Sequence, residues 1–371
     1  MQSLRIYDEL TAARTRFLRV DELCRRAAEK GALPSADELA AEARLPLKEK
    51  KGLEKAQGRF LSEILANPVA GTHLCHAMLL PREDSKQKLE DYKKNGELKL
   101  DGVHLKRRGK ASVLMMRNPA YLNAEDETTL PGMEMAVDLA LLDPATEVLV
   151  LCGDVVTHAK YAGKRLFGAG INLTHLYEGK IRYLWYLIRD LGFVNKLYRG
   201  LAFEKDSPEV TSMEKLCIAA VEGFAIGGHC QILLTMDYTI AAEDAYLTLP
   251  ARKEGIIPGA ANLRLPRFVG DRIARQAILA ERRIDCASAE GRMICDEVVP
   301  AGRMDDAIAA IVEKLTSSGV VSAAGNRRAF RAGEEPLDTF RRYMAIYARE
   351  QADCHLSPAL VANLERNWKK K

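Results

Sequence analysis

Two stretches of this 371-residue chain bunch glycines around one larger residue where a strand should end: RLFGAGINLTHLYEGK, residues 165–180, and EGFAIGGHCQILLTMD, residues 222–237. Glycine adopts turns closed to other residues and lets a ligand come close to the backbone amides. A helix beginning just after each loop adds partial positive charge at the same place. Two such loops aimed at one oxygen make an oxyanion hole, which suits a carbonyl that becomes an enolate. Taken singly, either glycine cluster is equally a tight turn against a packed helix.

Positioning such loops takes strands that end where the loops begin. GVHLKRRGKASVLMMRNP reads as two short strands around a turn at Arg108–Gly109, and EVLVLCG and KLCIAAVEG as buried strands. A helix is expected over AEDETTLPGMEMAVDLALLD, a long aromatic-rich helical segment over about 174–200, and another helix over GHCQILLTMD. YTIAAEDAYLTLP reads as strand structure, and the remainder from GDRIARQAILAERRI as mainly helical. Strand–helix–strand recurrence in mid-chain predicts an α/β fold. Periodicity leaves a doubly wound sheet and a coiled ββα arrangement both open.

Before Asp101 the texture differs. Residues 1–80 read as helices, with Leu4, Tyr7, Leu10, Phe17, Leu18 and Leu23 close to helical spacing and Gly31 as a terminator. Ser35 and Glu38 in SADE form a capping-box pattern, and NPVAG interrupts a later helix. Residues 81–100 are highly charged and read as a connector or an exposed helix. The expected organisation is a helical extension over 1–100, a catalytic core over 101–315 and a C-terminal helical region over 316–371.

With 55 basic and 51 acidic residues, the charge balance is too even for a nucleic-acid-binding face. No apolar run reaches membrane-spanning length, and MQSLRIYDEL lacks the pattern of a secretory signal. Eight scattered cysteines without a CxxC pair read as reduced thiols in a cytoplasm. His73 and His76 flank Cys75, a spacing that suggests metal, but no second ligand pair follows and packing is the better account. Nucleophile elbows, Walker loops and dinucleotide fingerprints are missing from the sequence.

The two loops in combination carry a family resemblance. From roughly Leu100 to Leu315 the chain resembles the crotonase (enoyl-CoA hydratase/isomerase) superfamily. VLMMRNPAYLNAED is similar to its first strand and helix start, and LFGAGINL to its first oxyanion loop. AAVEGFAIGGHCQILLTMDYTIAAEDAYLTLP is similar to its second oxyanion segment, and GIIPGAANLRLPRFVGDRIARQAILAERRIDCASAEGRMICDEVVP to the part that closes the fold. The resemblance implies a ββα superhelix core, amide donors at Ile171 and Gly228, and an acyl-CoA thioester as ligand. It also implies a homotrimer or paired trimers in a hexamer.

Hydratases of that family add water with two glutamates, and here those positions hold Gln231 and Ala251. Neither titrates near neutral pH, so hydration is disfavoured. Glu254 lies three residues further on and would serve only through a shifted loop. AKYAGKRLFGAGINLTHLYEGKI, LGFVNKLYRGLAFE, the N-terminal extension and the Gln replacement together resemble a branch that oxygenates dihydroxyphenylacetyl-CoA without metal or organic cofactor, on the way to an unusual phenylglycine. That branch implies dioxygen as co-substrate and Glu125, Arg189 and Gln231 as the grip on the dihydroxyphenyl ring. From position alone, Glu125 is also a helix-start charge, Arg189 a solvated helix charge and Gln231 a helix-surface residue. Leu173 and Ile256 are expected as apolar walls, and Lys164 and Arg165 as possible contacts for CoA phosphates. The alternatives are an acyl-CoA isomerase, hydratase or thioester hydrolase of the same family, and a non-catalytic CoA-binding scaffold.

Overall fold

In a computed structural model that describes residues 2–206, 213–318 and 321–368, the apolar runs of mid-chain lie side by side in one sheet. Its strands are β1 (Glu97–Leu100), β2 (Val103–Arg108), β3 (Ala111–Met116), β4 (Val148–Gly153), β5 (Leu216–Val221), β7 (Tyr238–Ala242) and β10 (Glu297–Val299), in the order β1-β2-β3-β4-β5-β7-β10. The first three strands pair antiparallel and the rest parallel from β3 onward. Strands β4, β5 and β7 are buried almost throughout, as parallel strands covered on both faces must be. A second sheet of three strands holds β6 (Phe224–Ile226), β8 (Tyr246–Thr248) and β9 (Ile284–Asp285). The segment YTIAAEDAYLTLP therefore divides between two sheets rather than forming one strand.

The N-terminal third is helical, with one break that spacing did not reveal. The first helix stops at Leu10 and the next begins at Val20, because Ala12, Ala13 and Arg14 adopt positive φ. The Ser35–Glu38 capping box forms with both of its hydrogen bonds. Asn67 caps a new helix that starts at Pro68, which explains the interruption at NPVAG. Residues 83–95 form a helix ended by Gly96 in the left-handed conformation.

Helix Lys55–Ala66 crosses helix Leu337–His355 at close range. A Cβ at Gly58 would lie 2.5 Å from the Ala352 Cβ, so only glycine permits the approach. The aromatic helix Tyr183–Ile188 runs beside this crossing: the Tyr183 hydroxyl donates to the Ala348 carbonyl and its amide to Glu54. A buried ionic cluster ties the extension to the sheet layer: Arg19 pairs with Glu134, while Lys196 pairs with Glu134 and Asp138, all at 2.7–2.8 Å. Among the described residues no helix is long and apolar enough to cross a membrane.

Candidate active site

Three parallel strands deliver the site, each through the loop that leaves its C-terminal end. The loop after β3 brings Glu125, the loop after β4 brings Ile171, and the chain after β5 passes through β6 to Gly228. Asn123 fastens the first two loops by donating its side-chain amide to the carbonyls of Asp154 and Leu166, both at 2.8 Å. A short parallel bridge then joins Glu125 to Ile171: the Glu125 amide donates to Gly170 and the Asn172 amide to Glu125. Because alternate backbone groups in such a bridge point to opposite sides, the Ile171 N–H is left facing away from it.

Gly228 opens helix Gly228–Leu233, so its N–H is one of the amides a helix leaves without an internal partner. The loops touch: a Cβ on Gly170 would come 3.1 Å from the Gly228 nitrogen. Among the described residues, the amides of Ile171 and Gly228 meet no protein acceptor. The loops carrying the two amides that the resemblance implies are thus brought into contact.

His229 braces this arrangement, a role sequence reasoning missed although the residue directly follows the glycine pair. Its Nδ1 accepts from the Gly170 amide at 2.9 Å, and its fully enclosed ring lies so near Gly168 that a Cβ there would fall 2.2 Å from Nε2. Burial drives its pKa down to about 4, against the pull of Glu125. Burial likewise pushes His73 to about 4. Both fold as neutral rings. Between pH 6.5 and about 4 the unfolded chain takes up protons that the folded chain refuses, so stability is full above that window and falls as pH drops through it. The urea midpoint should be clearly lower at pH 5 than at pH 7.5; equal midpoints would show that these rings protonate freely in the fold.

Arg189 begins a π-helical turn, Arg189–Phe193, in which the Val194 amide reaches back to the Arg189 carbonyl. That turn lowers the guanidinium into the site, where protein acceptors occupy all five of its N–H groups. Nε and Nη2 hold the Glu125 carboxylate, with Nη2–Oε1 at 2.8 Å. Nη2 also donates to the Gly228 carbonyl, and Nη1 to Gln231 Oε1 at 3.0 Å and Asp190 at 2.9 Å. Burial opposes ionisation of Glu125, but Arg189 beside it holds the carboxyl below its usual range. Asp190 is pushed up by burial despite the same neighbour. Glu125, Arg189 and Gln231 therefore converge, as the sequence led us to expect. Arg189, however, has no donor free; Gln231 lines the small cavity with its amide, while the Glu125 side chain is fully enclosed beside it.

Two cavities meet here. One of about 30 Å³ is lined by Ile171, Gly228, Gln231, Ala251, Ile256 and Tyr347. The other is a groove of about 520 Å³ walled by Tyr121, Leu173, Phe224, Tyr246 and Trp368, in the size range of small-ligand sites. Leu173 and Ile256 are thus both walls, but of different chambers. Lys164 and Arg165 line a separate recess, and Arg165 is engaged by Glu222 and Asp305. His73 accepts from or donates to the Tyr7 hydroxyl, and His76 lies 3.1 Å from the Phe203 carbonyl. Among the described residues no three His, Cys, Asp or Glu side chains are grouped to hold a metal.

The family model described as enoyl-CoA hydratase/isomerase matches residues 108–352. A (3,5-dihydroxyphenyl)acetyl-CoA 1,2-dioxygenase of Amycolatopsis orientalis is 46% identical over 350 residues, covering 94% of this chain and 80% of that protein. A short-chain-enoyl-CoA hydratase of Clostridium acetobutylicum is 29% identical, covering 65% of this chain and 86% of that protein. Among solved structures, an enoyl-CoA hydratase from Mycobacterium avium subsp. paratuberculosis superposes with a TM-score of 0.60 at 20% identity, over 74% of this chain and 98% of that one. At that identity the match speaks for the fold.

Proposed function

We propose a function from the premise that the chain belongs to the enoyl-CoA hydratase/isomerase family. It is a dioxygenase that converts 3,5-dihydroxyphenylacetyl-CoA and dioxygen to 3,5-dihydroxyphenylglyoxylate and CoA, with no metal or organic cofactor. The observation that carries this reading is the pair of partnerless amides at Ile171 and Gly228, beside a cavity in which Gln231 and Ala251 stand where hydration needs carboxylates. The relative from Amycolatopsis supports the same chemistry across most of the chain.

The groove would take the CoA arm and present the thioester oxygen to the two amides. Loss of a proton from the carbon between ring and thioester gives an enolate whose charge those amides stabilise. Glu125 and Gln231 would accept from the ring hydroxyls while Arg189 fixes the orientation of both. Triplet dioxygen reacts slowly with closed-shell molecules, but an electron-rich aryl enolate can pass it one electron directly. Recombination forms a peroxide at the α-carbon. Its attack on the thioester carbonyl expels CoA, and collapse leaves the α-keto acid.

Residues 1–100 and 316–371 serve as a brace for the core 101–315. We place the enzyme in a cytoplasm, where its free thiols stay reduced, as a trimer or paired trimers. The test is oxygen uptake by chelator-treated protein supplied with 3,5-dihydroxyphenylacetyl-CoA. Uptake should persist, free CoA should appear, and labelled dioxygen should place one atom in the ketone and one in the carboxylate. Activity lost on chelation and restored by iron or copper would overturn the cofactor-free mechanism. Label entering the carboxylate from water would point to hydrolysis of the thioester instead.

A further inference from the structure

We propose that Glu254 is the base that removes the α-proton, an assignment that rests on the enolate chemistry above. Among the described residues only two line both cavities, Ile171 and Glu254. The α-carbon joins the thioester, which belongs with the groove and the Ile171 amide, to the ring, which belongs with the Arg189 side. It must therefore pass between these two residues.

The sequence made Glu254 look remote, three residues beyond the family's usual carboxylate at position 251. One helical turn, Ala251–Glu254, closes that gap, and Gly255 then reverses the chain in the left-handed conformation at φ +85°. A carboxylate is thereby returned to the cavity from a neighbouring position.

The other titratable groups on the small cavity are already committed. Arg189 is saturated, and Asp190 is shared between Arg189 and Tyr347. Burial raises Tyr186 and Tyr347 far above the neutral range, which removes them as bases. His229 gives its Nδ1 to the Gly170 amide. Among the described residues the Glu254 amide donates to the Pro250 carbonyl, while its carboxylate has no hydrogen-bond or ion-pair partner. Its charged and titratable neighbours are Lys253, Glu281 and Tyr186, and Asn363 and Asn367 share the groove with it. Burial pushes its pKa up to about 7, with Lys253 opposing and Glu281 reinforcing the rise. A base with that pKa is both sufficiently ionised and sufficiently basic at neutral pH.

The proton balance closes on this residue. The Cα–H bond breaks, its proton goes to the Glu254 carboxylate, and its electron pair enters the enolate. When the peroxide displaces CoA thiolate, protonated Glu254 returns that proton to sulfur and is again a carboxylate. As the O–O bond of the cyclic peroxide breaks, the pair of the second Cα–H bond forms the ketone, and the proton leaves to solvent.

Anaerobic exchange of the α-protons in D2O isolates this step from oxygen. Wild-type protein should exchange them, and Glu254→Gln should exchange at least ~100-fold more slowly, with oxygen uptake reduced in parallel. Binding of the thioether analogue, in which CH2 replaces the thioester carbonyl, should change by no more than ~3-fold, since a general base contributes to the transition state rather than to ground-state binding. Glu254→Asp, which keeps the carboxylate, should restore part of the exchange and serves as the folding control. Exchange by Glu254→Gln within ~3-fold of wild type, or analogue binding lost in proportion to exchange, would overturn the assignment. The two readings fail differently: a wild-type protein that exchanges α-protons without consuming oxygen would sink the dioxygenase reading alone, whereas unimpaired oxygenation by Glu254→Gln would sink the base.

Discussion

Gly170→Ala should reduce oxygen uptake by ~1,000-fold or more, because it disturbs both amide donors at once and each alone is worth about 100-fold or more. Gly170 has φ +79°, a conformation that alanine adopts only under strain. The added Cβ would sit 2.8 Å from the Ile226 carbonyl and 3.1 Å from the Gly228 nitrogen. Relief requires the loops to part, and parted loops cannot aim their amides at one oxygen. The core strands lie away from this contact, so far-ultraviolet circular dichroism should stay close to that of the parent. A variant that folds and keeps more than about a tenth of the parent rate would show that the amides are not the working groups.

Arg189→Lys is the second large effect, expected at ~100-fold or more in turnover despite the conserved charge. One ammonium carries three donors, whereas Arg189 serves Glu125 twice and Asp190, Gln231 and the Gly228 carbonyl once each. Glu125 and Gln231 would then lose the fork that fixes their angle to the ring. The informative measurement compares 3,5-dihydroxyphenylacetyl-CoA with unsubstituted phenylacetyl-CoA. If Arg189 orders the ring acceptors, the variant should lose most of its preference for the hydroxylated ring. An unchanged preference would return Arg189 to a purely structural pair with Glu125, whose breakage costs ~3–5 kcal/mol when one partner is removed outright.

What could be read from the sequence was local. Glycine clusters at the ends of apolar strands marked the two loops, since backbone freedom is encoded by single residues, and the family resemblance singled out Ile171 and Gly228 within them. Substitutions inside a family pattern marked Gln231 and Ala251. The groups that sequence reasoning missed act across long separations. Tyr347 reaches the cavity from helix Leu337–His355, and nothing in its own segment distinguishes it from ordinary helical core. Asp190 is adjacent to Arg189, yet its shared hydrogen bonds depend on a π-helical turn that periodicity does not encode. Glu254 was visible but placed out of reach, because a boundary between extended chain and one helical turn is among the features least legible in sequence. The early break at Ala12–Arg14 is similar: the apolar spacing continues through it while the backbone turns.

The crossing at Gly58 bears on the order in which the molecule is made. Helix Lys55–Ala66 leaves the ribosome early and helix Leu337–His355 late, and the aromatic helix preceding Arg189 lies beside their junction. Contacts between such distant parts of a chain carry a loop-closure cost and form slowly. Strands β3 to β7 can assemble while the later helix is still being synthesised, so the enolate donors would exist before Tyr347 arrives to wall the cavity. Docking of the late helix is thus the step that completes the wall of that cavity.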